Sequence, residues 1–146
     1  MFEIEIPLLR FHTHQSSIRM RGRAGTGAYM SGKGRGYKGL IERDVRNAMQ
    51  EQGAEAPLFP AGEPVCLRVV FCYPGLRKQQ SRLAWRAKRP DMDNMLKLVK
   101  DALQGLLFAD DAQLARVVME KQHVAEYEQP ALKILAYQLS DPPQAW

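Results

Sequence analysis

Cysteine is scarce: the 146 residues hold two, Cys66 and Cys72. They fall six positions apart in what reads as one strand, so their Cα atoms stand roughly 20 Å apart. A disulfide spans less than about 7 Å, so the two do not bridge within one chain, and free thiols fit a reducing compartment. Histidine is equally thin, three residues, and no zinc-ligand spacing occurs. No apolar run approaches the 18 or so residues that a membrane span needs, and Met1-Phe2-Glu3-Ile4-Glu5 places acids where a signal peptide starts basic. Those absences point to a soluble, cytoplasmic protein. With 45% hydrophobic and 25% charged residues the chain is not a disordered tail, and its length suits one domain.

Acid is also short relative to base: 16 Asp and Glu against 21 Lys and Arg, a net charge of +5. The excess is concentrated. Nine basic residues lie between Arg10 and Arg46 against Glu42 and Asp44, and eight more lie between Arg77 and Lys100 against Asp91 and Asp93. Together they hold 17 of the 21. Clusters of this kind are the footprint of a polyanion binder, phosphate backbone being the usual polyanion, although basic loops are also common as plain solvated surface.

Phe2, Ile4, Ile6 and Leu8 alternate with acids and give a first strand. From Phe11 to Gly36 periodicity vanishes in a Gly, Ser and Arg-rich stretch, which predicts a long mobile basic loop. Tyr37, Ile41, Val45, Ala48 and Gln52 then mark a helix ending near Gly53. Val65 to Tyr73 reads as a strand stopped by Pro74-Gly75, and a second basic loop follows to Arg89. Met92, Met95, Leu96, Val99, Ala102, Leu103 and Leu106 form the apolar stripe of a second helix. Two further strands, Leu114 to Val124 and Ala131 to Leu139, are expected to pair as a hairpin. A domain over 1–140 thus precedes a short tail, 141–146. The β-α-β-α-β-β order predicts a single α+β domain with a mixed sheet and two helices packed on it.

The chemistry concentrates in Arg89-Pro90-Asp91-Met92-Asp93-Asn94-Met95-Leu96-Lys97 and, downstream, Ala109-Asp110-Asp111-Ala112-Gln113. Asp91 and Asp93 approach a helix two residues apart, and Asp93 sits where an N-cap belongs. Asp93, Lys97, Lys100 and Gln104 share one polar helix face. A turn and strand after the helix can return Asp110 or Asp111 towards its start. Three converging carboxylates repel unless a cation lies between them, and hard oxygen donors suit Mg²⁺ or Mn²⁺. Such a site on a basic surface suits metal-assisted phosphodiester hydrolysis, with Lys97 near the scissile phosphate. Taken singly, each feature has a structural reading: a cap, an i,i+4 ion pair between Asp93 and Lys97, a turn pair.

The same residues resemble the RusA family of Holliday junction resolvases, found in bacteria and their prophages. The family pattern, Asp-x-Asp-Asn-(Leu/Met)-x-Lys, then Asp-Ala-Leu, then Asp-Asp-x-Gln, is met by Asp91 to Lys97, Asp101-Ala102-Leu103 and Asp110 to Gln113. Ala28 to Ser31 and Gly36-Tyr37-Lys38 are similar to the segment that leads into the family's first helix. The resemblance implies a homodimeric, Mg²⁺-dependent endonuclease that makes paired nicks in four-way DNA junctions. It implies Asp91, Asp93 and Asp111 as metal ligands, Lys97 as the essential lysine, and Asp110 as a neighbour whose direct ligation is less secure; Asp101 reads as structural or as a support behind the ligands.

For DNA contact the basic loops offer Arg19, Arg21, Arg23, Lys33, Arg35, Arg82, Arg86, Lys88 and Arg89. Trp85 and Tyr29 lie within those loops, where aromatics either stack on unpaired bases or pack locally. His12 and His14 have the spacing of a strand metal pair but lack a partner cluster, and read as surface or DNA contacts. His123 reads as structurally satisfied. Two rival functions stand beside the resolvase: a non-catalytic DNA-binding recombination accessory, and a nuclease for other branched or single-stranded DNA.

Overall fold

A computed structural model describes residues 1–7, 18–20, 28–30, 32–75, 84–125 and 128–141, with side chains omitted for 18–20, 28–30 and 32–34. His12, His14, Arg21, Arg23, Arg82 and the tail beyond Asp141 lie outside them.

The strands are β1 (Phe2–Pro7), β2 (Ile18–Met20), β3 (Ala28–Met30), β4 (Val65–Tyr73), β5 (Ala84–Trp85), β6 (Leu114–His123) and β7 (Ala131–Gln138). The helices are α1 (Gly32–Glu51) and α2 (Met92–Leu103), and a 3-10 turn over Asp111–Gln113 leads into β6. Five strands form a mixed sheet in the order β1-β7-β4-β6-β5, and β2 and β3 form a separate antiparallel ribbon. This is the α+β class expected from the pattern. Neither helix is long and apolar enough to cross a membrane.

β4 organises the rest. Its nine residues are buried except Arg68, and a nearly continuous apolar run needs neighbours on both edges. It has them: β7 pairs antiparallel on one side and β6 parallel on the other. The expected β6–β7 hairpin is therefore wrong, because β4 takes the place between them. Val65, Leu67, Val69, Phe71 and Tyr73 point into the main core under the helices, whereas Val70 and Cys72 belong to a small cluster with Val124 and Ala131 on the other face. Cys66 and Cys72 are buried on β4 and unbridged, as the spacing required.

Tyr37, Ile41, Val45 and Met49 give α1 a strict i,i+4 buried ladder. The helix ends where Gly53 takes φ +66 and the Ala54 and Gly53 amides donate back to the Met49 and Gln50 carbonyls, a Schellman stop. It begins at Gly32, five residues before the first apolar marker. Gly32-Lys33-Gly34-Arg35-Gly36 carries no apolar residue to reveal its period, and each glycine costs roughly 1 kcal/mol against alanine in a helix. The ribbon β2–β3 likewise falls inside the stretch expected to be a loop, since three-residue strands are too short for alternation to register. On α2, Met95, Leu98, Val99, Ala102 and Leu103 are buried, and Gly105, at φ +80, turns the chain away. α2 thus packs its apolar stripe on the sheet and leaves its polar face outward.

Candidate active site

The approach to α2 is clamped. Lys121 on β6 donates from Nζ to the carbonyls of Lys88 (2.9 Å) and Pro90 (2.8 Å). Arg86 lies 4.0 Å over the Tyr73 ring and donates from Nη2 to the Arg89 carbonyl at 2.9 Å. His123 Nδ1 stands 2.8 Å from the Pro74 carbonyl. A carbonyl only accepts, so Nδ1 carries the proton and Nε2 faces Arg86 Nη1, at 3.5 Å, as an acceptor. His123 is structurally satisfied, as expected. Arg86, singled out for DNA, spends its guanidinium on this packing, and its position over Tyr73 pulls down a phenol pKa that burial raises more strongly.

The clamp delivers Asp91 with extended backbone (φ −73, ψ 143) directly before the helix. Asp91, not Asp93, is therefore the N-cap residue, because the helix starts at Met92. Its side chain makes no capping hydrogen bond. Asp93 falls in the first turn, exposed, where the helix dipole favours a negative charge. No ion pair joins it to Lys97; the described ion pairs lie elsewhere. Asp93, Lys97 and Gln104 are exposed and Lys100 is half-buried, so the anticipated polar face of α2 is present.

The two downstream aspartates divide their labour. Asp110 Oδ1 accepts from the Ala112 amide at 2.8 Å and caps the 3-10 turn. Gln113 completes a capping box: its Oε1 accepts from the Ala109 and Asp110 amides (2.8 and 3.0 Å), and its Nε2 donates to the Pro60 and Glu63 carbonyls (2.8 and 3.1 Å). Asp111 is left pointing outward, and Lys100 Nζ holds its Oδ2 at 3.2 Å. The expected return of Asp110 or Asp111 to the start of the helix is not met by either: Asp110 builds the turn, and Asp111 lies beside Lys100, towards the other end of the polar row.

Along that row Lys100 lies seven residues from Asp93, about 10 Å of helix rise. Asp91 and Asp93 sit at one end and Asp111 near the other, with Lys97 between. Among the described residues no group of three His, Cys, Asp or Glu side chains converges to hold a metal ion. As a donor set, Asp91 and Asp93 fit a hard divalent cation: both are exposed carboxylates, and among the described residues neither is spent on a cap or an ion pair. Asp111 fits only after parting from Lys100.

Of the basic residues proposed for DNA, Lys88 and Arg89 are exposed while their carbonyls are pinned by the clamp. Arg35 is exposed on α1, Lys33 lies in its first turn, and Arg19 pairs in register with Tyr29 across the β2–β3 ribbon. Trp85, on β5, is 76% exposed. The reading of motifs missed Lys121, Lys100 and the Gln113 anchor. Lys100 was marked only by its place on the helix face, and Lys121 by nothing local, since its partners lie over thirty residues away.

No curated protein matches the chain. The family model for endodeoxyribonuclease RusA matches residues 12–135, which takes in both helices, the clamp and the whole polar row. RusA endonucleases depend on a divalent metal and bind branched DNA junctions. With 124 of its 146 residues inside that match, the chain belongs to the RusA family of endodeoxyribonucleases, the enzymes that resolve Holliday junctions.

Proposed function

We propose that this endonuclease works as a homodimer with Mg²⁺ (Mn²⁺ able to replace it), holding the ion through Asp91, Asp93 and Asp111 and using Lys97 at the scissile phosphate. The observation that carries the reading is the exposed row on α2, where two unspent carboxylates and an ammonium stand beside a clamped basic segment. When bound, the ion would supply an activated water and charge neutralisation at the phosphate. The chain's own residues do the rest. Lys88 and Arg89, with their backbones pinned, present cations to the DNA backbone at fixed distance from Asp91. Lys97 places a point charge where negative charge develops on the phosphate oxygens. Lys100 neutralises Asp111 until the ligand set closes. Arg19, Arg21, Arg23, Lys33, Arg35 and Arg82 are proposed as further DNA contacts on grounds of charge alone; Arg86 serves by holding the segment in place.

The test is cleavage of a labelled four-way junction with and without Mg²⁺. Paired, symmetric nicks that need the ion are expected. Binding without cleavage under any divalent ion would instead support the accessory protein, and faster cutting of flaps or single strands would support a nuclease for other substrates. Two coordinated nicks across a symmetric junction are most simply made by two sites related by a two-fold axis.

A further inference from the structure

β6 is an edge strand for most of its length. Its only partner on the side away from β4, among the described residues, is the two-residue β5, at Gln122 and His123. The orientation of its backbone groups follows from two hydrogen bonds. The Arg86 amide donates to the Lys121 carbonyl on the β5 side, and the Val124 amide donates to Tyr73 at the end of β4. N–H and C=O groups alternate between the two edges of a strand. Val117 and Met119 therefore direct both their N–H and C=O outward, where no described strand meets them.

The side chains tell the same story. Apart from Met1, the exposed large hydrophobic residues among the described ones are Trp85 (76%), Val117 (39%) and Val118 (37%), all along this edge. Ala115 to Val118 are exposed four in a row, so neither helix covers the strand there. A long bare edge with adjacent valines is a template for another strand, and proteins that leave one so usually cover it. Ala115 is an extra residue in the β4–β6 register, since Val65 pairs with Leu114 and Cys66 with Arg116. That bulge bends the strand and limits regular pairing to the stretch from Arg116 to Glu120.

We propose that this stretch of β6 pairs antiparallel with the same stretch of a second copy of the chain, about a two-fold axis at Val118. The inference rests on the homodimer reading above and names its interface. In that register Val117 meets the partner's Met119 and Met119 the partner's Val117, so every outward N–H and C=O of the two residues is bonded. Val118 meets its own copy at the axis. Arg116 falls opposite the partner's Glu120, twice, and opposite charges facing across a strand pair stabilise it. A parallel pairing would set like against like. Glu120 already accepts from Arg68 Nη2 at 3.0 and 3.2 Å, and a carboxylate has lone pairs for a second guanidinium. The axis runs normal to the sheet, so both helix layers lie on the same side of the joined sheet and both polar rows are offered to one DNA.

The test is mass in solution, read without DNA or metal. The parent chain should weigh roughly 33 kDa, twice 16.6 kDa, by sedimentation. Arg116→Glu and Glu120→Arg should each be monomeric, because each sets like charges opposite across the axis. Mixed in equal amounts they should form a dimer of one copy of each. Val117→Pro removes only an outward N–H and spares the β4 ladder, so it should give a folded monomer by circular dichroism. Val118→Cys should cross-link to a dimer on oxidation, and this readout holds even where a charge variant fails to fold. A monomeric parent, charge variants that stay dimeric alone, or a mixture that stays monomeric would each overturn the proposal. A dimer that cuts no junction would overturn the catalytic reading and leave this one standing.

Discussion

The Asp110–Gln113 turn and the polar row of α2 sit side by side and are built in opposite ways. In the turn the Asp110 and Gln113 side chains are spent on the chain itself: Gln113 alone makes four hydrogen bonds at 3.1 Å or less, and it is buried. On the row, charged groups stand in the open with few partners, and the Lys100–Asp111 bridge is the sole described link between the two. A group that serves folding is satisfied by the chain; a group that serves a ligand is left for the ligand. That contrast separates Asp111 from Asp110 although they are neighbours in sequence.

The largest effects should come from the open end of the row. Asp91→Asn and Asp93→Asn should each reduce junction cleavage to background, because a lost charged ligand weakens the hold on the ion. Junction affinity should stay or tighten, since each change removes negative charge facing phosphate. Unfolding midpoints should barely move, as neither side chain caps or bridges. Wild-type cutting by either variant would remove that residue from the site.

Lys97→Ala comes next. An exposed helix lysine with no ion-pair partner among the described residues contributes little to stability, so a structural role forecasts no phenotype. A cation at the scissile phosphate forecasts a loss on the order of 10²-fold in single-turnover rate, about 2.7 kcal/mol of barrier. Lys97→Arg should recover little of it, because a broad planar cation does not replace a point charge.

Inside the turn the expectation reverses. Gln113→Leu should cost about 1–3 kcal/mol in denaturant unfolding, since it leaves part-buried carbonyls and amides without their partner. Asp110→Ala should cost about 1 kcal/mol, the usual worth of a lost cap, and keep most of the cleavage rate. If Asp110→Ala abolished cutting while Asp111→Asn spared it, the division between the two would be inverted.

Much of this was legible beforehand where periodicity is long and local. β1, β4 and the buried Tyr37, Ile41 and Val45 of α1 follow from spacing alone, although Met49 and not Gln52 continues that ladder; the polar row of α2 follows from its i, i+4, i+7 pattern. What failed to show was non-local. β6 and β7 are consecutive and strand-like, but their partner is decided by β4, whose unbroken apolar run demands two neighbours. The helical start at Gly32 is carried by propagation from the Tyr37–Met49 ladder, not by its own residues. Lys121 and Gln113 act on carbonyls 31 to 54 residues distant and Arg86 on a ring 13 residues away, and nothing in a single sequence marks such a target. The candidate site was legible as chemistry, Asp91, Asp93, Lys97 and Asp111, and not as geometry.

The smallest effect belongs to the one bridge between the two regions. The Lys100 and Asp111 side chains are 27% and 51% exposed, so their ion pair contributes roughly 0.5 kcal/mol or less. Lys100→Met should leave the unfolding midpoint almost unchanged and keep the aliphatic stem on the helix. Its consequence is for the metal. If Asp111 must leave Lys100 to join Asp91 and Asp93, the ammonium competes with the ion, and removing it frees the carboxylate. The Mg²⁺ concentration for half-maximal cleavage should then fall about twofold, the factor that 0.4–0.5 kcal/mol supplies. The measurement needs saturating enzyme, because loss of a positive charge also weakens the hold on phosphate. A Mg²⁺ requirement that rises in Lys100→Met would mean that Lys100 positions Asp111 for the ion, and the bridge would then be part of the assembled site.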